Sequence, residues 1–310
     1  MTTASQRLHQ HALDLAWSLW RQLGVSTWSS PHEDWAIELE PLIVYTAMIA
    51  EQDTRLLRES IDWCVSNHGL LSLRQVRHIL RAHRWPTNGP IGRFGATVSR
   101  ATGKPWPGVK EAAAHEVVPS GRSQAPSLAK PELLQLRLRS IFGVTSRAEV
   151  VRVLLIDPKR AWSLAEITDR VAYTRRQVTT DLEMLTLGGV TRRWESRGSF
   201  GYTLHDVEGL VGWLGATPRV SIHWAPLFRI MAGLLDAIDQ IVARQWRLPA
   251  AELSRRMRDL DQELDQLRLS PPASPGEDGY LDDTIAWAHE LFAALAAGDR
   301  TRVPVDPISA

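Results

Sequence analysis

Apolar side chains recur at helical spacing through the first 84 residues. Leu8, Ala12, Leu15, Leu19 and Leu23 stand 4-3-4-4 apart and share one helical face, and Gly24 ends that helix. A second helix is predicted from near Pro41, carrying Leu42, Ile43, Tyr45 and Met48. Asp53 is placed to cap a third, with Leu57, Ile61 and Cys64 turned inward. Ser72 and Gln75 read as a capping box opening a fourth, which buries Leu73, Val76, Ile79 and Leu80. Residues 1–84 are therefore expected to form a helical domain. From Trp85 to Lys130 the period dissolves into Gly- and Pro-rich sequence such as RWPTNGPIGRFG, and 85–130 is read as a basic linker.

The pattern sharpens between 131 and 205. Three hydroxyl residues each precede a Glu or Gln by three positions at the head of an apolar run: Ser146 with Glu149, Ser163 with Glu166, Thr174 with Gln177. These predict capped helices over 146–155, 164–171 and 175–187. Only Ala172, Tyr173 and Thr174 separate the last two, so they must cross steeply, as in a helix-turn-helix. On the third helix Val178, Leu182 and Leu185 face inward, while Arg175, Arg176, Thr179, Thr180 and Glu183 fall elsewhere on the cylinder. Gly188 and Gly189 stop it. Val190, Arg192 and Trp194 then alternate with Thr191 and Arg193, and Phe200, Tyr202 and Leu204 alternate on the return. This predicts a two-stranded hairpin with Arg197 at its tip.

Beyond His205 the chain is helical again. One broad apolar stripe runs from Trp224 to Val242. Leu253, Met257, Leu260, Leu264 and Leu267 form a narrow 4-3-4-3 seam, and Leu281, Ile285, Ala288, Phe292 and Leu295 repeat that spacing. Two packings stand open for these seams: against other helices of the same chain, or against a second copy in a homodimer.

Charge adds a direction to this outline. Net charge is only +1, yet residues 85–205 carry 18 basic against 10 acidic side chains, and residues 206–310 carry 10 against 16. A polyanion is to be sought in the middle of the chain. Cys64 is the single cysteine, which excludes an internal disulfide and fits a reducing compartment. No secretory signal and no stretch long enough to span a bilayer is read, so a cytoplasmic protein with no membrane partner is expected. Only four of the 36 basic residues are lysines, a bias that suggests a GC-rich bacterial genome.

The stretch TRRQVTTDLEMLTLGGV resembles the recognition-helix signature of winged helix regulators of the ArsR and MarR type. It offers a capping hydroxyl, then Val178, Thr179, Leu182 and Leu185, then Gly189-Val190 leading into the wing. The resemblance covers about 75 residues. It implies that Arg175, Arg176, Gln177, Thr179 and Thr180 sit where that family touches DNA. The wing would add Arg192, Arg193 and Arg197 along the backbone or minor groove. The paired-cysteine metal motif found in part of that family is absent here.

The residue groupings that could carry chemistry each read more simply as structure. His9 and His11 diverge on a helix, and His32-Glu33-Asp34 lacks the second histidine of a zinc-protease helix. GPIGRFG lacks the apolar helix that would make it a phosphate cradle. Asp282-Asp283 and the Asp261/Asp265 pair sit on charged helical faces, and His223-Trp224 reads as a packing corner. The expectation is a mainly α protein in four parts. They are a helical domain over 1–84, a linker over 85–130, a winged helix over 131–205, and a helical region over 206–310 for dimerisation or docking. It would bind double-stranded DNA as a transcriptional regulator or autorepressor, without enzymatic activity, cofactor or metal. The alternative is a scaffold or antitoxin-like protein whose winged helix or flanking helices grip a partner protein.

Overall fold

Leu8, Ala12, Leu15 and Leu19 of the first helix, α1 (Thr2–Gln22), and Leu23 just after it are all buried, as their spacing requires. This computed structural model describes residues 2–28, 32–109, 113–121, 123, 125–196, 199–244, 248–272, 279–302 and 306–307. Gly24, at φ +94°, turns the chain out of α1. Helix α2 (Leu39–Ile49) is buried almost throughout, and α3 (Thr54–Ser66) is capped by Asp53, which accepts from the Arg55 and Leu56 amides. Helix α4 (Leu73–Ala82) is capped by the Ser72 hydroxyl. The Gln75 side chain does not complete that box. It donates instead to the Val171 carbonyl, 2.8 Å away, and the Ser72 amide donates to Glu40.

The expected linker over 85–130 is a correction. It contains α5 (Pro90–Thr102), whose Ile91, Phe94 and Val98 are buried against α2 and α3, and Trp106 packs behind Phe94. The Gly and Pro residues that broke the sequence period bound this helix rather than prevent it. Pro90 takes its first position and Gly103 its left-handed end. Gly95 lies so close to the Trp106 ring that a Cβ would come within 2.4 Å of it.

Next come α6 (Leu134–Phe142), α7 (Ser146–Ile156), a short strand β1 (Trp162–Ser163), α8 (Leu164–Val171) and α9 (Arg175–Leu187). The hairpin follows as β2 (Thr191–Ser196) and β3 (Ser199–Leu204). β3 is central in an antiparallel sheet of order β1-β3-β2, with Thr191 opposite Leu204 and Trp162 opposite Tyr202. The chain goes on through α10 (Val207–Leu214), β4 (Val220–Ser221), α11 (Trp224–Arg244), α12 (Pro249–Arg258), α13 (Asp261–Leu267) and α14 (Tyr280–Ala297). The last strand, β5 (Asp306–Pro307), pairs with β4. The protein is mainly helical with one small three-stranded antiparallel sheet, and among the described residues no helix is long and apolar enough to cross a membrane.

Two apolar cores result. One is drawn wholly from residues 134–214, with Val150, Ile167, Val178, Leu182 and Tyr202 among its members. The other joins the two ends of the chain: α1 packs on α14 and α11, and α2 lies along α11, where Tyr45 stacks on Phe228 at 4.3 Å. The expected division into separate regions 1–84 and 206–310 therefore gives way to a shared core. The seam from Leu253 to Leu267 is two short helices meeting at Leu260, and all five of its residues are buried against α11 and its neighbours. Of the two packings open to it, the seam takes the intramolecular one.

Candidate nucleic-acid interface

Helix α9 is built to stand out from its core. Thr174 caps it by accepting from the Gln177 amide, 3.3 Å away. At its other end Val190 N donates to Leu185 O and Gly189, at φ +72°, turns the chain into β2. Val178, Asp181, Leu182 and Leu185 are buried; Arg175, Arg176, Thr180, Glu183, Met184 and Leu187 are exposed. At 100° per residue these exposed positions form one face. It is basic and hydroxylic at the N-terminal end, acidic at Glu183 and apolar at the last turn.

Asp181 fixes the register of α9 on α7. It accepts from the Ser146 hydroxyl, from Arg147 Nε at 3.1 Å and from Gln177 Nε2 at 3.1 Å. This alters two sequence expectations. Ser146 does not cap α7, because its hydroxyl is spent on Asp181 and Thr145 holds the N-cap position. Gln177 is half-buried with its amide turned to Asp181, so it is not free at the exposed face. Of the three expected capping boxes, only Ser163 with Glu166 closes in both directions.

The other expected site residues lie on α9 and on the adjoining hairpin, where Arg192 and Arg193, consecutive in β2, point to opposite faces of the sheet. Arg175 and Arg176 occupy the first turn of α9, exposed and without an ion pair among the described residues. The hydroxyls of Thr179 and Thr180 donate back to the carbonyls of Arg175 and Arg176, leaving their methyls and lone pairs for a ligand. Arg192 is exposed on β2 with its guanidinium against the His205 ring. Arg193 lies 4.6 Å over the centre of the Phe200 ring. Arg197 lies outside the described residues.

A second set of charges was not anticipated. Arg139 is fully buried and grips Glu40 through Nη1 at 2.7 Å and Glu149 through Nη2 at 2.7 Å, besides the Leu70 carbonyl and the Gln75 amide oxygen. Arg152, nearly as buried, reaches Glu38 at 2.7 Å and Glu149 at 2.9 Å. Glu38 and Glu40 belong to the shared core, and Arg139, Glu149 and Arg152 to the 134–214 unit, so the network lies across the joint. The two arginines hold the Glu149 carboxyl below its usual range despite burial, and the carboxylates raise Arg139 and Arg152. Tyr173, in the turn between α8 and α9, is buried with its hydroxyl 3.1 Å from Ser72 Oγ. The turn that launches α9 is thus clamped to the start of α4. The sequence offered one signal, charged residues at i and i+3 inside the apolar run AEVVRVLLI, which ordinary surface solvation does not explain.

Family models, curated proteins and solved structures were compared with the chain, and none matches it.

Proposed function

We propose that residues 131–205 form a winged helix-turn-helix that binds double-stranded DNA, and that the protein is a transcriptional regulator or autorepressor. In this reading α9 enters the major groove N-terminus first and the β2–β3 hairpin is the wing. The observation that carries it is the pair Arg175–Arg176. Two guanidinium groups, without an ion pair among the described residues, stand on the first turn of an exposed helix, after a three-residue turn, with Arg192 and Arg193 exposed on the adjoining hairpin. Arginine there can bridge guanine N7 and O6 or clamp phosphate, and the threonine methyls suit thymine. Glu183, exposed midway along the same face, is repelled by phosphate and can accept from a cytosine amino group, so it would act on base preference rather than affinity.

Four of the large exposed apolar residues, Met184, Leu187, Trp194 and Phe200, lie on α9 and the hairpin. They support the second reading, a partner protein docked on α9 and the hairpin. Titration with random and selected duplexes over a range of salt separates the two. DNA binding predicts a steep salt slope that Arg192→Ala with Arg193→Ala flattens by about one or two units. It also predicts that Arg175→Ala or Arg176→Ala costs roughly 1–3 kcal/mol at the preferred site. A folded protein with no salt-dependent affinity for any duplex leaves the protein-docking reading. A homodimer on paired half-sites would need a surface other than the Leu253–Leu267 seam, which the chain itself covers.

A further inference from the structure

Helix α4 buries Gln75, Val76, Ile79 and Leu80 and turns a different face to solvent. Arg74, Arg77 and Arg81 stand three and four residues apart, so at 100° per residue they form one row on that face. All three are exposed, and among the described residues none makes an ion pair or a side-chain hydrogen bond. The helix, LRQVRHILRA, contains no carboxylate to neutralise them. Like charges at this spacing repel, and a merely solvated helix face ordinarily interleaves acidic residues with its arginines. The row thus costs the free protein stability, and an outside anion relieves it.

The fold places this row beside α9. The Arg74 guanidinium lies 5.8 Å from the centre of the Tyr173 ring, and the Tyr173 hydroxyl is 3.1 Å from Ser72 Oγ at the head of α4. Tyr173 is two residues ahead of Arg175. The first turns of α4 and α9 are therefore neighbours, and the exposed Arg175 and Arg176 extend the basic surface that Arg74 begins. At its other end α4 meets α13 across a narrow polar cleft at the joint of the two cores, lined by His78, Gln262 and Gln266. His83 pairs there with Glu263, and Asp169 of α8 accepts from Gln266 Nε2 at 3.4 Å. Asp261 and Asp265 of α13 are exposed. The basic surface ends at these carboxylates and runs the other way, toward α9.

We propose that the α4 row contacts the phosphate backbone of duplex DNA, beside the stretch that α9 reads. The inference rests on the DNA-binding reading of α9 and gives a share of that binding to a helix outside residues 131–205. From Arg74 to Arg81 the row spans about 10 Å at 1.5 Å per residue. One strand of a duplex carries a charge about every 3.4 Å along the axis, so up to about three phosphates lie within that length. Arginine clamps phosphate oxygens without reading bases. The row would therefore add affinity and hold α9 in register, and would add no sequence preference.

The test titrates the full chain with a selected and a random duplex over a range of salt. Arg77→Gln with Arg81→Gln leaves the Arg74–Tyr173 contact in place. It is expected to weaken binding to both duplexes alike, about tenfold or more at about 0.15 M salt, and to flatten the salt slope by about two units. The same pair changed to Lys keeps the charges and is expected to bind nearly as the parent does, which a lost packing role would not explain. Both positions are exposed, so the urea midpoint of the Gln pair should stay at the parent's value or rise as repulsion is relieved. A folded Gln pair that binds as tightly as the parent, with the same slope, overturns the proposal while the α9 reading stands. A weakened Gln pair beside Arg175→Ala and Arg176→Ala variants that bind as the parent does sinks the α9 reading and leaves the row a DNA contact by itself. A parent that binds neither duplex overturns both.

Discussion

The two cores of this protein are assembled in opposite ways. The 134–214 core closes within a single run of chain, and its helices and strands follow one another through short turns. The other core brings α1 against α14 and α2 against α11, across more than 170 residues of intervening sequence. A local core is specified by neighbours in sequence. A core made from two chain ends exists only once both ends have met, with the first unit enclosed between them. The first can be recognised by pattern alone, whereas pattern in the second reveals helices but not their partners.

The comparison is broken most directly by cutting the chain. A fragment of residues 131–216 is expected to fold cooperatively by itself, with a sharp urea transition. Residues 1–130 alone are expected to lack one, because Leu8, Leu15 and Leu19 lose α11 and α14. A cooperative transition in the 1–130 fragment would show that the shared core does not depend on the C-terminal helices.

The next largest effect lies at the joint. Arg139→Ala leaves Glu40 and Glu149 buried without their main partner, and removing one member of a buried ionic cluster costs about 3–5 kcal/mol. Because the network ties the cores together, full-chain unfolding should separate into two transitions in this variant. A loss below 1 kcal/mol with a single transition would mean that the network does not couple them.

Acid should loosen the same region. His223 and His78 line the joint, and His32 packs in the shared core; burial leads the causes that lower all three. A histidine whose folded pKa is depressed binds fewer protons than it does unfolded. Its penalty is absent above the unfolded value near 6.5 and grows as pH falls below it, by at most about 1.4 kcal/mol per pH unit for each group. Urea midpoints should therefore fall between pH 7 and pH 5, and His223→Leu should flatten that fall. A variant as acid-sensitive as the parent would remove His223 from the account.

The smallest change sharpens the picture of the α8–α9 turn. Ala172 sits at φ +56°, a left-handed conformation that disfavours any residue with a Cβ. Ala172→Gly should stabilise the protein by about 1 kcal/mol in denaturant titration. Destabilisation would mean that the Ala172 methyl, packed against the shared core, contributes more than the strain it carries.

By itself the sequence determined the elements and their facing. Leu8 to Leu23, Val178–Leu182–Leu185 and the Asp53, Ser163 and Thr174 caps lie in the structure as their spacing requires, because helical periodicity and capping are settled within a few residues of chain. The N-terminal arginines of α9 were legible for the same reason. What Gln177, Glu149 and Ser146 would bind was decided only by tertiary structure. Their local capping partners lost to Asp181, Arg139 and Arg152. Asp181 reaches Ser146 from α9 and Arg139 reaches Glu149 from α6, while Gln177 and Arg152 join these contacts from the same helix as their partner. All three charges are buried, where an unpaired charge costs far more than an unused cap. The helix at Pro90–Thr102, the intramolecular burial of the Leu253 seam and the polar cleft between the cores belong to the same class. Each depends on surfaces distant in sequence, and the strength of a buried contact is set by what surrounds it, which no local pattern records.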